Sequence, residues 1–335
     1  MVQHEGSGKV KRASSAVSVT YDMALGLNIQ NPHDPFRKDV LGYYIRKASA
    51  HLTEAPSLME VTFDLGNVRE YLVRRGPLSD QSFADLIDST VMILRSFWGF
   101  RAADLVSMAH VKQSDLDGYQ EDSDTVVSMW FYSLKTSQGK WTALQFTPLS
   151  RSRLRKGLQL SVSEAKARVQ SCCAVRALAE IRRRMLPLLR TQQAVALKRK
   201  QIYAKHFLPW KKDDPGMGST ISATSSSVSP AVPFRFIKAG TMNGLLARHH
   251  AKMPGMPALA KGCHPRHYRH VSLSTMHFVG ASASAKVLST HAADSTVFRQ
   301  SYQIADVDPG FKARYLQVHE LTGFAQLTAP ERLLL

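Results

Sequence analysis

Residues 84–108 read ADLIDSTVMILRSFWGFRAADLVSM. Just ahead of them Ser79, in "GPLSDQSF", is the expected N-cap of a helix. Phe83, Ile87, Val91, Leu94 and Trp98 then recur every three or four residues until Gly99 ends the run. The spacing predicts a core helix. "GFRAADLVSM" continues it as a turn and a second apolar helix, with Arg101 at the mouth. A charged residue between two apolar helices needs a partner or a ligand to be tolerated, which makes Arg101 the first candidate functional residue.

Downstream, "TVVSMWFYSLKT" and "KWTALQF" have strand character and are separated by "SQG", which predicts a β-hairpin with Lys135 near its tip. A long basic stretch follows. Between Arg151 and Lys212 there are 17 Lys and Arg against two acids, Glu164 and Glu180. This stretch opens with "RSRLRK" and carries a capping box at Ser161 to Glu164. It runs on as a helical pattern through "AVRALAEIRRRMLPLL", with Val169, Cys172 or Cys173, Val175, Leu178 and Ala179 on the apolar side and the arginines outward. A solvated helix face is the ordinary reading of such charge. With the whole segment biased one way, a surface following a nucleic-acid backbone is the better one, on Arg151, Arg153, Arg155, Lys156, Arg182 and Arg183. Residues 211–232, rich in Ser, Gly and Pro, are expected to form an exposed loop. Helices resume at "GTMNGLLARHH", "SASAKVLS" and "STVFRQSY". Upstream, residues 1–35 read as a flexible arm and 36–76 as a small helical unit. A larger domain is expected over 77–310 and a tail over 311–335.

The composition bounds the possible partners. In 335 residues, 44% hydrophobic, the chain can bury a substantial core, and its net charge of +18 favours nucleic acid over an anionic membrane. No apolar run approaches the roughly 20 residues of a membrane-spanning helix, and "MVQHEGSGKVKR" lacks the apolar core of a secretory signal. Three cysteines cannot make a disulfide framework. An intracellular protein is expected, and "KVKR" and "KRK" are candidate nuclear import signals.

The stretch "HPRHYRHVSLSTMHFVG", residues 264–280, concentrates positive and titratable groups. It can be a solvated basic face, a zinc site built from Cys263, His264, His267 and His270, or a cradle for phosphate. Zinc accepts Cys and His, but here the ligands crowd into one turn and no C-x-x-C is present. Neither a metal nor a cofactor is expected.

Taken in order, the helix and turn at 84–108, Lys135 on a hairpin, and "RHYRHVSLSTMHFVGASASAKVLSTHAADSTVFRQSY" resemble a tyrosine recombinase of the phage-integrase superfamily. The variant they look most like is that of DIRS-type retrotransposons and Cryptons. The resemblance covers roughly Val61 to Ile304. It implies a mainly α (α+β) fold, with a helical catalytic domain carrying a small antiparallel sheet and a small helical unit before it. It implies site-specific recombination or integration of a mobile element, on double-stranded DNA, by a dimer to tetramer in the nucleus. Its residue roles fall on Arg101 and Arg269 as phosphate-binding arginines, Asp104 as support for the first, Lys135 as general acid and Tyr302 as nucleophile. The chemistry needs these types: tyrosine splits one transfer into two through a phosphotyrosine, and two guanidiniums offer permanent bidentate charge to the developing oxyanions.

The chain departs from this pattern at two places. Where most members carry a histidine three residues before the second arginine, Arg266 stands here. Where a later histidine or tryptophan binds the phosphate, counting back from Tyr302 reaches Ala292, with His291 one residue away. Losing one such donor can cost about 10² to 10³ in rate. Two alternatives therefore stay open: a catalytically inactive DNA-binding derivative, and an RNA-binding helical protein in which Arg101, Arg269 and Tyr302 lie far apart.

Overall fold

The first helix, α1 (Leu65–Arg74), starts where the Asp64 side chain accepts from the Gly66 amide at 2.7 Å. The computed structural model describes residues 63–106, 108–110, 116, 119–122, 126–132, 141–190, 209–212, 234–236, 239–257, 265–289 and 308–335. Helix α2 (Phe83–Ser96) is the central element, buried continuously from Ser89 to Ser96. Its cap is Ser82, which accepts from the Asp85 amide at 3.2 Å, and not the expected Ser79. An N-cap oxygen must reach the amide two or three residues on, and Ser79 lies in the preceding turn, bonded to Asp80.

A buried helix has to satisfy its polar side chains locally. Thr90 Oγ1 donates to the Leu86 carbonyl at 2.6 Å and Ser89 Oγ to Gln81 Oε1 at 2.8 Å. The helix ends at Phe97, Gly99 takes a left-handed φ of +63°, and α3 (Ala102–Val106) begins three residues later.

Strands β1 (Met108–His110), β2 (Val127–Tyr132) and β3 (Trp141–Phe146) form an antiparallel sheet in that order, with Val127 opposite Phe146 and Tyr132 opposite Trp141. The expected hairpin is β2–β3; the β1 edge strand was not foreseen. Val127, Met129 and Phe131 alternate into the core, as do Leu144 and Phe146, the period-2 pattern of a half-buried sheet. Aromatic stacking docks this face on the turn after α2: Trp98 lies on Phe146 with ring centroids 4.2 Å apart and Phe100 on Phe131 at 4.9 Å.

The basic stretch forms α4 (Arg151–Leu158), α5 (Val162–Cys172) and α6 (Ala174–Arg190). The capping box at Ser161 and Glu164 is present with both of its hydrogen bonds. The expected single helix is broken at Cys173, whose extended backbone (ψ 117°) lets both Cys172 and Cys173 turn into the core. Burial pushes the Cys172 thiol up to about 12. Beyond it, β4 (Pro209–Lys212) pairs antiparallel with β5 (Phe234–Phe236), so Lys211 and Lys212 belong to a strand and not to the expected loop. Then come α7 (Ala239–His250), α8 (Pro265–Phe278), α9 (Ser282–Ser289), α10 (Pro309–Val318), a 3-10 turn (Phe324–Gln326) and α11 (Ala329–Arg332). The molecule is mainly α with small antiparallel sheets.

Two expected boundaries do not survive. The described residues fall in one unit, Val61–Leu335, and α1 belongs to it: Leu65, Val68 and Leu72 are buried where α1 packs on α2 and α5. Nor is 311–335 a tail or a free arm, because Phe311, Phe324, Leu327 and Leu333 to Leu335 are buried in the same core. Its anchor is Glu331, fully buried, which accepts from the Ser150 amide at 2.9 Å, the Thr328 amide at 2.8 Å and Arg153 Nε at 3.1 Å. Arg69 donates to the carbonyls of Leu334 and Leu335. Beside it, burial first and the Arg69 charge second push the Arg168 guanidinium down to about 10, still a cation at neutral pH.

Removing the Glu331 carboxylate takes the acid from a partly buried arginine and strands two amides. Glu331→Ala is expected to lower unfolding stability by about 3 kcal/mol in urea titrations, whereas Glu320→Ala, at an exposed position, should change it by under about 0.5 kcal/mol.

Candidate functional site

The site is built around Gly99. Its positive φ turns the chain between α2 and α3, and its missing side chain admits α8: a Cβ there would lie 3.1 Å from Leu273 Cδ2 and 3.2 Å from Ser272 Oγ. Through this close approach Arg269 of α8 reaches the turn. Its Nη1 donates to the Gly99 carbonyl at 2.6 Å and its Nη2 to the Ser289 carbonyl at 2.7 Å. Three segments distant in sequence are thus joined by one guanidinium, which is 5% exposed.

Arg101 arrives from the same turn. Its Nη2 donates to the same Ser289 carbonyl at 3.4 Å, and its side chain is 26% exposed. Asp104, nearly buried on α3, accepts from the Arg101 amide at 3.0 Å through Oδ2, half of a capping box for its own short helix. The same oxygen lies 3.8 Å from Arg101 Nη1 and 3.9 Å from Arg269 Nη1. Among the described residues two guanidiniums share this one carboxylate. The C-terminal end of α9, which supplies the Ser289 carbonyl, helps to hold them. Such a site can bind an anion on its open side, where Arg101 reaches solvent.

The structure therefore brings together Arg101, Asp104 and Arg269. Arg266 lies in the first turn of α8, and Lys135, His291, Ala292 and Tyr302 lie outside the described residues. Two partners were not foreseen, the carbonyls of Gly99 and Ser289. Backbone acceptors have no residue-type signature, although the glycine that ends α2 marks one of them.

The proposed basic surface divides. Arg155 and Lys156 are exposed at the end of α4, and Arg183 is exposed with its head on Glu180 at 2.6 Å. Arg151 is committed to Asp122, and Arg153 to the buried Glu331. Arg182 is no surface residue at all: it is 4% exposed. The break at Cys173 rotates α6 relative to a continuous helix and turns this arginine inward. Of the zinc candidates, Cys263 and His264 lie outside the described residues and His267 is buried in α8. Among the described residues no group of three or more His, Cys, Asp or Glu could hold a metal ion, and no helix is long and apolar enough to cross a membrane.

The two arginines should separate by stability. Arg269→Ala removes the donor to the buried Gly99 carbonyl and the shorter of the two to the buried Ser289 carbonyl, and is expected to cost about 3 kcal/mol in urea unfolding, while Arg101→Ala costs about 1 kcal/mol or less. Gly99→Ala combines a left-handed backbone with a contact to Leu273 and should cost about 2 kcal/mol.

No family model, no curated protein and no solved structure matches the chain.

Proposed function

We propose that the chain is a site-specific DNA recombinase of a mobile element, a tyrosine recombinase most similar to those of DIRS-type retrotransposons and Cryptons. The observation that carries this reading is the convergence of Arg101 and Arg269, 168 residues apart in the chain, on Asp104 and the Ser289 carbonyl. A chance likeness, as in the RNA-binding alternative, gives no reason for these two arginines to meet.

In this mechanism the Tyr302 hydroxyl gives its proton to solvent as its oxygen attacks a DNA phosphodiester. The bond from tyrosine oxygen to phosphorus forms, the bond to the 5′ oxygen breaks, and a 3′-phosphotyrosine remains. Lys135 gives the departing 5′ oxygen its proton. Arg101 and Arg269 hold the non-bridging oxygens as charge builds on them, with Asp104 fixing the approach of Arg101 and with Arg266 and His291 as further donors. Rejoining reverses the steps. The duplex lies along exposed cations such as Arg155, Lys156 and Arg183. Two duplexes need four cuts, so the working form is a dimer to tetramer on DNA in the nucleus.

The commitment of both Arg269 nitrogens to backbone carbonyls favours a second reading, in which the chain keeps the DNA-binding surface of such a recombinase without its chemistry.

Adduct trapping separates the two. The purified protein and its Tyr302→Phe variant are incubated with nicked duplexes from the ends of the flanking genomic element. The recombinase reading expects an SDS-resistant protein-DNA species from the parent and none from the variant, with Arg101→Ala lowering its yield about 10² to 10³-fold. Salt-sensitive binding by both proteins with no adduct from either establishes the binding-only reading.

A further inference from the structure

Away from Arg269 in the sequence, three helices contribute a continuous hydrogen-bonded chain. The hydroxyl of Tyr71, on α1, lies 2.8 Å from His249 Nδ1 on α7, and His249 Nε2 lies 2.9 Å from Asp88 Oδ2 on α2. A carboxylate oxygen can only accept, which assigns the Nε2 proton to the bond with Asp88 and leaves Nδ1 to accept from the phenol. The imidazole is 7% and the Asp88 side chain 21% exposed, while Tyr71 is half-buried with its ring edge-on to the imidazole.

The order is that of a nucleophile, a base and a group that orients the base. A nearly buried imidazole takes a partner on each ring nitrogen, and here the two are a carboxylate and the hydroxyl of a half-buried tyrosine. The surroundings hold several cations, one of them paired with a carboxylate. Arg75 lies over the Tyr71 ring at 5.8 Å and is neutralised by Asp85 at 2.8 Å. Arg74, one turn beyond Tyr71, and Arg248 and Lys252, beside and one turn beyond His249, make no ion pair among the described residues. Cations at both helix ends suit an anionic electrophile.

We propose that Tyr71, His249 and Asp88 form a second nucleophilic site, acting on a phosphoric ester. The Tyr71 oxygen forms a bond to phosphorus and the ester P–O bond breaks. The phenolic proton passes to His249 Nδ1, where Asp88 stabilises the imidazolium, and from there to the leaving oxygen. The inference stands apart from the role proposed for Tyr302, which lies on a different segment.

An arylsulfonyl fluoride reports on this site without knowledge of the natural substrate: the tyrosine oxygen bonds to sulfur, fluoride leaves, and His249 takes the proton. Labelling of the full chain is followed by peptide mass spectrometry, with the half-buried Tyr315 as internal reference. Tyr71 is expected to be sulfonylated at least about tenfold faster than Tyr315, and Asp88→Asn and His249→Gln should each abolish most of that advantage, with thermal melts reporting their folding. Inorganic phosphate should slow Tyr71 alone. Equal rates at the two tyrosines in the parent protein, or a label on His249 in place of Tyr71, overturn the site. Because the first comparison needs no variant, a variant that fails to fold does not spare it. Fast labelling untouched by phosphate overturns the phosphoric ester assignment. A Tyr302→Phe chain labelled like the parent at Tyr71 keeps this inference distinct from the recombinase reading.

Discussion

The buried guanidinium of Arg269 is the constraint on which the centre of the molecule depends. A permanent cation inside a protein is tolerated only where donors and acceptors are matched, and here two carbonyls and one carboxylate meet it. Each acceptor comes from a different place: the turn after α2, the end of α9 and the first turn of α3. Meeting them requires α8 to approach Gly99 more closely than a side chain would permit. The order of elements from α2 to α9 thus follows from satisfying one charge. The same arrangement leaves Arg101 partly open beside it.

A second buried charge organises the other end. Glu331 closes α11 on itself through Thr328 and reaches across to the start of α4 through Ser150 and Arg153. Leu333, Leu334 and Leu335 are buried, with Arg69 of α1 on the carbonyls of Leu334 and Leu335 and Arg168 of α5 also on that of Leu334. The expected tail contributes to the core. The physical reason is that "ERLLL" supplies three leucines and the one acid that Arg153 needs, a match no local pattern displays.

The excess of basic residues divides along the same lines. Several arginines of the basic stretch are structural, tied to Asp122, Glu331, Glu180 or backbone carbonyls, and one is buried outright. Among the described residues of the stretch, Arg155, Lys156, Lys166 and Arg183 remain exposed.

Local physics determined much of this protein in advance. The 3.6-residue recurrence from Phe83 to Trp98 marks α2, the alternation in "VVSMWF" and "TALQF" marks the hairpin, and Ser161 with Glu164 marks the start of α5, because each signal acts within one or two turns of chain. Arg101 stood out for the same reason, as a charge wedged between two apolar helices. Other features were decided only by the tertiary structure: the inward turn of Arg182, the burial of residues 311–335, the carbonyls of Gly99 and Ser289 as arginine acceptors, and the line of Tyr71, His249 and Asp88. All of these depend on partners far apart in the chain, and a backbone oxygen or a salt-bridged arginine reads in the sequence like any other.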